Sequence, residues 1–420
     1  MAPSHLYIHV PFCARRCSYC DFSIAVRAQT PVDEYIKALQ AELSLGAVDE
    51  SALDTVYLGG GTPSRLGGHG ISDVLAAVRS RARIASNAEI TIEANPDDVN
   101  DIAVAQWVSA GVNRISLGAQ SFDDTVLEWM HRTHDCRQIG RAVETIRRAG
   151  IGNISLDLIF ALPAHLNRDW KTDVQRALEL GPSHVSLYGL TVEPHTPIAR
   201  WADRGAIVEG SEVQYEEEFL YADEAMSTAG FDHYEVSNFA RPGKASRHNS
   251  AYWTGVPYAG VGPSAHSFDG AVRRWNVAAY AEWTRRLLDP SPVANEPGLA
   301  TAALGLSKSI VAGEECLTAE NRDAEEVYLG LRTSWGLAID ERELPVVESW
   351  RNAGWAEVDA IASTTDHPSA PTEAIAPTGL RLRLTPTGWL RLDSIAANMA
   401  ASRSNRANAA LIATPSHCYI

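Results

Sequence analysis

Three cysteines near the start of the chain constrain its structure and chemistry more than any other feature. Cys13, Cys17 and Cys20 have C-x3-C-x2-C spacing and follow an apolar run, so we expect three thiols on one loop after a first β-strand. Cysteine thiolates hold iron–sulfur clusters, and a [4Fe–4S] cluster with three of them keeps one iron open for another ligand. The alternatives are chance clustering or a zinc site, for which His5 and His9 lie nearby; structural zinc takes four ligands and rarely this spacing. We therefore predict a [4Fe–4S] cluster.

Length and composition limit the class of protein. With 420 residues, 45% of them hydrophobic, the chain is long enough for two or three domains. The other cysteines, Cys136, Cys316 and Cys418, are scattered, which favours a reducing cytosol over a disulfide scaffold. The net charge of −16 argues against general nucleic-acid binding. Without a signal peptide or a membrane-spanning run, we expect a cytoplasmic protein whose contact with membranes, if any, is peripheral.

The first 200 residues alternate short β-branched runs with longer amphipathic segments. The predicted strands are Leu6–Val10, Thr55–Gly59, Glu89–Ala94, Arg114–Leu117, Ile154–Phe160 and His184–Leu190. The predicted helices are Asp33–Val48, Ile71–Arg83, Asp101–Ala110, Arg137–Ala149 and Asp169–Leu180. Six β/α units in series predict an α/β fold with a parallel sheet and right-handed crossovers, short of the eight units in a closed barrel.

Residues suited to a zwitterionic nucleoside lie at the strand ends, the edge at which parallel sheets bind ligands. Gly60, Gly61 and Thr62 follow the second strand, and glycine lets a ligand approach the backbone closely, although a tight turn is an equal alternative. Charged or amide side chains lie in or after the next strands: Glu93, Gln120, Arg132 and Asp157. Singly, each is more often a solvated rim residue. Together, they can bind an amine, a carboxylate and the hydroxyls of a ribose.

The segment YIHVPFCARRCSYCDF at residues 7–22 resembles the signature of the radical S-adenosylmethionine (SAM) superfamily, in the branch containing oxygen-independent coproporphyrinogen III oxidase and the HemW type of heme chaperone. The resemblance implies an open six-stranded (β/α)6 partial TIM barrel that binds SAM beside the [4Fe–4S] cluster. It also implies that these residues contact SAM: Tyr7, Gly60, Gly61, Thr62, Glu93, Gln120, Arg132 and Asp157. Two departures from the family pattern are local: His131 replaces a usual glycine, and FALPAH at residues 160–165 replaces YGLPGQ.

A second motif, HNSAYW at residues 248–253, resembles the HNxxYW motif that is linked to heme binding in the heme chaperones. Imidazole is a common axial ligand of heme iron, and flat aromatic rings suit a porphyrin face. We therefore predict that His248 ligates heme, with His233 and His266 as alternatives. The structural alternative is a glycine-rich β segment whose aromatic residues pack under the open side of the barrel.

Two functions follow from the resemblance. The first is a heme chaperone that binds heme, a [4Fe–4S] cluster and SAM and transfers the heme to an acceptor hemoprotein. The second is an oxidase that decarboxylates coproporphyrinogen III to protoporphyrinogen IX by radical chemistry. Phe22 favours the chaperone, because the oxidase type has a further cysteine there and a longer segment before Cys13. A nucleic-acid-modifying radical SAM protein is disfavoured by the acidic charge, so no nucleic-acid partner is expected.

Four segments are predicted along the chain. They are a radical SAM core at 1–200, an extension with the HNxxYW motif at 201–298, a C-terminal domain at 299–395 and a disordered tail at 396–420. The resemblance implies that the C-terminal domain is helical and winged-helix-like. The Ser/Thr/Ala/Pro-rich run at 363–378 cannot form a core and is predicted to be a mobile loop. Cys418 in the tail is predicted to be incidental.

Overall fold

The structure is a computed structural model and describes residues 3–48, 52–289, 310–360 and 379–413. Its strands are β1 His5–Val10, β2 Phe12–Cys13, β3 Ala25–Val26, β4 Ala52–Gly60, β5 Arg83–Ala94, β6 Arg114–Gln120, β7 Asn153–Phe160, β8 His184–Gly189, β9 Asp232–Glu235, β10 Asn238–Ala240, β11 Ala259–Val261, β12 His266–Phe268, β13 Val272–Asn276, β14 Val311–Cys316, β15 Leu337–Ile339, β16 Ala356–Ala360 and β17 Leu380–Leu384. Its helices are α1 Val32–Leu43, α2 Gly67–Arg79, α3 Asp101–Ala110, α4 Asp124–Trp129, α5 Cys136–Arg148, α6 Trp170–Glu179, α7 Pro197–Asp203, α8 Glu212–Thr228, α9 Arg247–Trp253, α10 Tyr280–Leu288, α11 Ala319–Arg332, α12 Leu344–Asn352, α13 Pro386–Trp389 and α14 Leu392–Ala413.

Each of the predicted β/α units is present, and local sequence explains where the helices begin and end. Asn100 accepts a hydrogen bond from the third residue of α3, and Asp135 forms a capping box with Gln138 at the start of α5. Gly111 follows α3 with a φ of 99°, which glycine adopts without a steric cost. These caps limit each helix to the length of one crossover.

The parallel strands form one sheet in chain order. Strands β1, β4, β5, β6, β7 and β8 lie side by side and are all parallel. Strand β11 pairs parallel with β1 at one edge, and β10 pairs antiparallel with β8 at the other. The predicted fold class, an open six-stranded partial barrel, is confirmed, and the structure adds further strands to the sheet beyond β1 and beyond β8.

An apolar core lies on one face of this sheet. Ile8, Leu58 and Leu156 are fully buried, and the register of the strands places all three on the same face. Each such side chain contributes about 1.5–3 kcal/mol on burial.

A buried carboxylate ties α1 to the segment around β11. Glu42 on α1 accepts hydrogen bonds from the Gly262 amide (2.8 Å) and the Trp283 indole (2.8 Å) at Oε2, and from the Asn276 amide group (2.7 Å) at Oε1. Burial raises the pKa of Glu42 to about 7, although all three donors act to lower it. The β11 edge of the sheet is therefore held by a group that water cannot reach.

We predict that Glu42→Ala lowers the free energy of unfolding by about 2–4 kcal/mol at pH 5, because three buried donors lose their acceptor. Burial raises the pKa of Glu42, so folding favours the protonated carboxyl group. The stabilisation of the fold by protonated Glu42 is therefore fully present below about pH 4.5 and is lost as the pH rises through about 7. The difference from wild type should therefore shrink at pH 8. Denaturant unfolding at both pH values measures this, with exposed Gln40→Ala on the same helix as the control. Equal stability of the two variants at pH 5 would contradict the prediction.

The chain divides into two compact units. The first comprises residues 1–232, 237–252 and 256–316, and the second comprises 233–236, 253–255 and 317–420. In the second unit, β15, β17 and β16 form an antiparallel sheet in that order, accompanied by α11 to α14. The domain boundaries at 200, 298 and 395 and the winged-helix character stay predictions. Residues 363–378, predicted to be a mobile loop, and Cys418 lie outside the described residues.

The prediction of a disordered tail from residue 396 is wrong for the described part of that segment, which continues α14. Leu392, Ile395, Ala396 and Met399 are buried, and their i, i+3, i+4, i+7 spacing forms one helical face. Arg403 donates to Glu343 at 2.9 Å and holds the next turn. The many alanines and serines concealed this periodicity in the sequence. None of the described helices is long and apolar enough to cross a membrane.

Candidate functional site

A cavity of about 370 Å³ lies at the carboxyl ends of the parallel strands in the first unit. That volume falls among small-molecule sites, which measure about 300–1,000 Å³. Most of the residues predicted from sequence to bind the cluster or SAM line it: Cys13, Cys17, Cys20, Gly60, Gly61, Thr62, Glu93, Gln120, Arg132 and Asp157. We call the segment from Cys13 at the end of β2 to the start of β3 the cysteine loop. Residues from this loop and from strands β4 to β7 thus line one cavity.

The cysteine loop is pinned at its ends and at its centre. Strands β2 and β3 pair parallel, so Phe12 lies beside Ala25 and closes the loop between them. In the middle, buried Ser18 donates its amide hydrogen to the Met130 carbonyl (3.1 Å) and accepts from the Ile198 amide (2.9 Å) at its own carbonyl. The three thiols are therefore held against the sheet edge by backbone hydrogen bonds.

The donor set of this loop fits a [4Fe–4S] cluster. Each thiolate of a cluster binds a different iron, so the three sulfurs need not converge on one point as the ligands of a single ion do. In the described part of the chain, no three His, Cys, Asp or Glu side chains form a group that could hold one metal ion. Burial raises the pKa of Cys13, and it raises the pKa of Cys20 to about 11. Both are thiols at neutral pH, so metal binding must release their protons.

The glycine run after β4 has the close contacts that exclude a side chain. Gly60 has a φ of 112°, and a Cβ there would lie 2.6 Å from the His9 ring. A Cβ on Gly61 would lie 2.6 Å from the Pro11 carbonyl oxygen. Thr62 places its hydroxyl 3.4 Å from the Cys13 sulfur. The run therefore packs against the start of the cysteine loop.

Glu93 places a carboxylate in the cavity. Its Oε1 accepts from the Tyr57 hydroxyl at 2.8 Å, and its Oε2 accepts from the Gly60 amide at 3.0 Å. Burial raises the pKa of Glu93 to about 7, with Asp157 acting in the same direction and the two hydrogen bonds and the charge of Arg114 acting against it. A buried carboxylate whose charge is only partly offset is suited to receive the ammonium group of a ligand.

Arg132 lines the cavity beside the end of strand β6. It donates to Asn95 Oδ1 (2.6 Å), to the Gly118 carbonyl (2.9 Å) and to the Cys17 sulfur (3.4 Å). These three contacts orient the guanidinium between the cysteine loop and the strand ends. The arrangement can bind a carboxylate beside the thiols.

Gln120 and Asp157 complete the polar wall on neighbouring strands. The pairing of β6 with β7 shifts register between Gly118 and Gln120, and Gln120 has a φ of 67°. Such a bulge re-aims a side chain, here into the cavity. Asp157 accepts from the Ser116 hydroxyl at 3.0 Å, and burial raises the pKa of Asp157.

Tyr7 does not line the cavity, so its contact with SAM stays a prediction. Its hydroxyl lies 3.1 Å from His9 Nδ1, and its ring lies 6.2 Å from that of Tyr57. A Cβ on Gly59 would meet the Tyr7 ring at 3.0 Å. The described geometry therefore gives Tyr7 a packing position behind the glycine run.

His248 does not line the cavity either, and its ring is 1% exposed. Its motif lies on a helix, α9, rather than in a β segment. Its Nδ1 lies 2.7 Å from the Thr55 hydroxyl, and its Nε2 lies 2.9 Å from the Tyr252 hydroxyl. The carboxylate of Glu89 accepts from the His248 and Arg247 amides and fixes the start of α9. Both ring nitrogens are thus engaged, which leaves neither free for iron in this conformation.

The two alternative heme ligands lie in different units. His233 packs its ring 4.3 Å from that of Trp389, and its Nε2 lies 3.3 Å from the Val236 carbonyl. His266 is exposed on β12 and stacks on Trp275 at 5.8 Å. Neither lines the cavity.

Sequence reasoning did not single out Tyr57, Ser116 or Tyr188. Tyr57 precedes the glycine run by two residues, which places both on the same side of the strand and could have indicated its contact with Glu93. Ser116 on β6 donates a hydrogen bond to Asp157 on the neighbouring strand β7, and the register between these two strands cannot be read from the sequence. Phe22 and Tyr188 both line the cavity and are 60% and 46% exposed.

Comparison with known folds supports this description. The family model for the radical SAM superfamily matches residues 7–177. The structure of coproporphyrinogen III oxidase (HemN) from Escherichia coli superposes with a TM-score of 0.73 and 20% identity, covering 95% of this chain and 90% of that one. At that identity the likeness shows the fold alone.

Curated relatives define the family more closely. Proteins named heme chaperone HemW are similar to this chain in Lactococcus lactis (34% identical over 341 residues, 81% of this chain and 84% of that protein) and in Bacillus subtilis (33% over 335 residues, 79% and 84%). The protein of that name in Mycobacterium tuberculosis strain H37Rv is 36% identical over 342 residues, 80% of this chain and 83% of its own length. The resemblance drawn from the cysteine motif is confirmed, and the chain belongs to the heme chaperone HemW family of the radical SAM superfamily.

Proposed function

We propose that this protein is a cytoplasmic heme chaperone that binds heme and passes it to an acceptor hemoprotein. Its membership of the HemW family over most of its length carries the proposal. Phe22 supports it from the structure, because an apolar side chain occupies the cavity wall where the oxidase type has a further cysteine. We propose no oxidase activity.

We propose that Cys13, Cys17 and Cys20 hold a [4Fe–4S] cluster and that SAM occupies the rest of the cavity. When bound, the cluster supplies single-electron chemistry to SAM through its open iron. Glu93 binds the amino group and Arg132 the carboxylate of SAM. Gln120 and Asp157 accept hydrogen bonds from the ribose hydroxyls, while Gly60, Gly61 and Thr62 leave room for close approach to the backbone.

Heme ligation by His248 stays a prediction with a structural requirement. The His248 ring would have to leave its hydrogen bonds to Thr55 and Tyr252, and α9 would have to leave the Glu89 carboxylate that holds its start. Breaking buried hydrogen bonds of this kind costs about 1–3 kcal/mol for each group left unpaired. A heme-binding form through His248 is therefore a different conformation of α9.

We predict that the purified protein, anaerobically reconstituted, binds hemin about one to one and does not convert coproporphyrinogen III when reduced with SAM present. Absorption titration measures the first and product analysis the second. Phe22→Cys should not create oxidase activity, since the cavity residues as a set, and not one side chain, decide the substrate. Turnover of coproporphyrinogen III by the wild-type protein would overturn the proposed function, and so would failure to bind hemin.

We predict that replacing Cys13, Cys17 or Cys20 by Ala abolishes the [4Fe–4S] absorbance, because each thiolate binds a separate iron. Cys136→Ala and Cys316→Ala are matched controls, since both cysteines are free and neither lines the cavity. Iron and sulfide analysis checks the result. A full four-iron complement in Cys17→Ala would show that the cluster has other ligands.

We predict that SAM affinity falls about fivefold between pH 7 and pH 6, because Glu93, with its pKa raised to about 7 by burial, must be ionised to bind an ammonium. The amino group of SAM, with an ordinary α-amino pKa of about 7.7–8, stays protonated across this range. Calorimetry at both pH values measures the change. In Glu93→Gln the affinity should be roughly ten- to a hundredfold weaker and independent of pH, as expected when a charged hydrogen bond worth about 1.5–3 kcal/mol is lost. An unchanged pH dependence in Glu93→Gln would remove Glu93 from the site.

A further inference from the structure

The buried side chain of Tyr57 contacts two parts of the molecule that have different proposed roles. Its hydroxyl donates a hydrogen bond to Glu93 Oε1 at 2.8 Å. Its ring stacks on that of His248, with centroids 5.0 Å apart and planes inclined by 24°. Glu93 lines the cavity, whereas His248 belongs to the HNxxYW motif on α9. One side chain therefore joins the motif to the cavity.

The register of the strands explains why these side chains meet. Tyr57 on β4 pairs with Thr91 on β5, so Glu93, two residues further along β5, lies on the same face of the sheet. Thr55, two residues before Tyr57, lies on that face as well, and its hydroxyl is 2.7 Å from His248 Nδ1. Strand β4 thus contacts the α9 motif at two successive positions of one face.

Gly59 leaves room for the contact between Tyr57 and Glu93. A Cβ on Gly59 would lie 2.9 Å from the Tyr57 ring and 3.0 Å from Glu93 Oε1. Both distances are shorter than an ordinary van der Waals contact, so a side chain here would push the ring away from the carboxylate. Gly59 does not line the cavity itself, and the Tyr57–Glu93 contact accounts for this glycine.

The hydroxyl of Tyr57 acts on both the direction and the charge of the Glu93 carboxylate. Tyr57 holds Oε1, and the Gly60 amide holds Oε2 at 3.0 Å. Each carboxylate oxygen has a second lone pair, which can accept a hydrogen from an ammonium group. The Tyr57 hydroxyl also lowers the pKa of Glu93 against the effect of burial. Loss of this hydroxyl would therefore weaken the binding of a cationic amine.

His248 supports the Tyr57 ring from the side of α9. The His248 ring also stacks on Tyr7 at 6.4 Å and meets Tyr252 edge to face at 5.1 Å. Offset and edge-to-face contacts of this kind stabilise the position of each ring. Heme ligation by His248 requires its ring to leave Thr55 and Tyr252, and leaving them removes the support of Tyr57. The packed position of His248 and the bonded position of Tyr57 therefore favour each other.

Resting on the proposed function, we propose that Tyr57 is a positioning residue through which the HNxxYW motif on α9 and the SAM site regulate each other. With His248 packed on its ring, Tyr57 holds Glu93 in place for the ammonium group of SAM. When His248 turns away to ligate heme, Tyr57 loses that support and the cavity binds SAM more weakly. Coupling between two sites is reciprocal, so SAM weakens heme binding by the same factor. Three side chains in direct contact carry the effect, and α9 is the element with two arrangements.

The test measures this coupling in the reconstituted full-length protein under anaerobic conditions. Hemin is titrated by absorption with and without saturating SAM, and SAM is titrated by calorimetry with and without hemin. Tyr57→Phe keeps the ring and its stacking but removes the hydroxyl. Tyr280→Phe is the matched control, because the Tyr280 hydroxyl donates to Glu34 Oε1 at 2.7 Å and neither of these two residues lines the cavity.

We expect SAM to weaken hemin binding to the wild-type protein about fivefold or more, and hemin to weaken SAM binding by the same factor. In Tyr57→Phe, SAM affinity should fall about tenfold and the coupling factor should approach one. Tyr280→Phe should match the wild type in both quantities. Thermal unfolding checks that each variant is folded, and the wild-type titrations test the coupling by themselves.

A double-mutant cycle separates the proposed role from a general loss of structure. In the Glu93→Gln background, Tyr57→Phe should cause no further loss of SAM affinity, because the hydroxyl acts through the carboxylate. An additional loss of the same size in that background would mean that Tyr57 affects SAM binding by another route.

The pH profile gives a second readout that packing alone would not change. Removing the Tyr57 hydroxyl raises the pKa of Glu93, so the loss of SAM affinity in Tyr57→Phe should be larger at pH 7 than at pH 8. The other titratable groups that interact with Glu93 are the same in both proteins: Asp157, Arg114, Tyr7 and Tyr252.

Independent or mutually enhanced binding of hemin and SAM to the wild-type protein would overturn the coupling. So would a Tyr57→Phe variant that keeps the wild-type coupling factor, or one that loses SAM affinity equally in the Glu93→Gln background. In each of these cases the proposed chaperone function stands, whereas a wild-type protein that fails to bind hemin removes both.

Discussion

The site depends on the position of the cysteine loop, which is set by backbone hydrogen bonds and not by the thiols. Strands β2 and β3 close the loop, and Ser18 is bonded on both sides, to Met130 and to Ile198. Without these bonds three cysteines on a flexible loop would lose conformational entropy on binding a cluster, at about 1–2 kcal/mol for each residue fixed. The fold supplies that ordering in advance, so the loop reaches the sheet edge in a state that can accept metal.

The electrostatics of the cavity are arranged for a ligand that carries its own charges. Burial raises the pKa of both Glu93 and Asp157, and the charge of Arg114 only partly offsets this effect. A zwitterion with a protonated amine would bring a cation directly to Glu93. Binding is then coupled to ionisation of the carboxyl group, and the site selects for a cationic amine near the thiols.

The sequence predicted what depends on local periodicity and motif spacing. The six strands, their helices and the residues at their carboxyl ends follow from alternation, caps and the cysteine spacing, and ten of the predicted site residues line one cavity. What the sequence could not supply depends on tertiary contacts. His248, which stays the predicted heme ligand, contacts Thr55, Tyr252 and Glu89, and two of these three residues lie more than 150 positions away in the sequence (248 − 55, 248 − 89). The helical continuation at Met399 was concealed by the many alanines and serines that surround its apolar face.

The turn after α4 joins two parts of the site. Met130 accepts the Ser18 amide at its carbonyl and so holds the cysteine loop, while the next two residues, His131 and Arg132, line the cavity. The backbone of this turn cannot move for one of these contacts without displacing the others, since peptide geometry leaves two soft torsions per residue. A ligand in the cavity that shifts this turn must therefore change how readily the cysteine loop accepts metal, and metal on the loop must change the affinity for that ligand by the same factor.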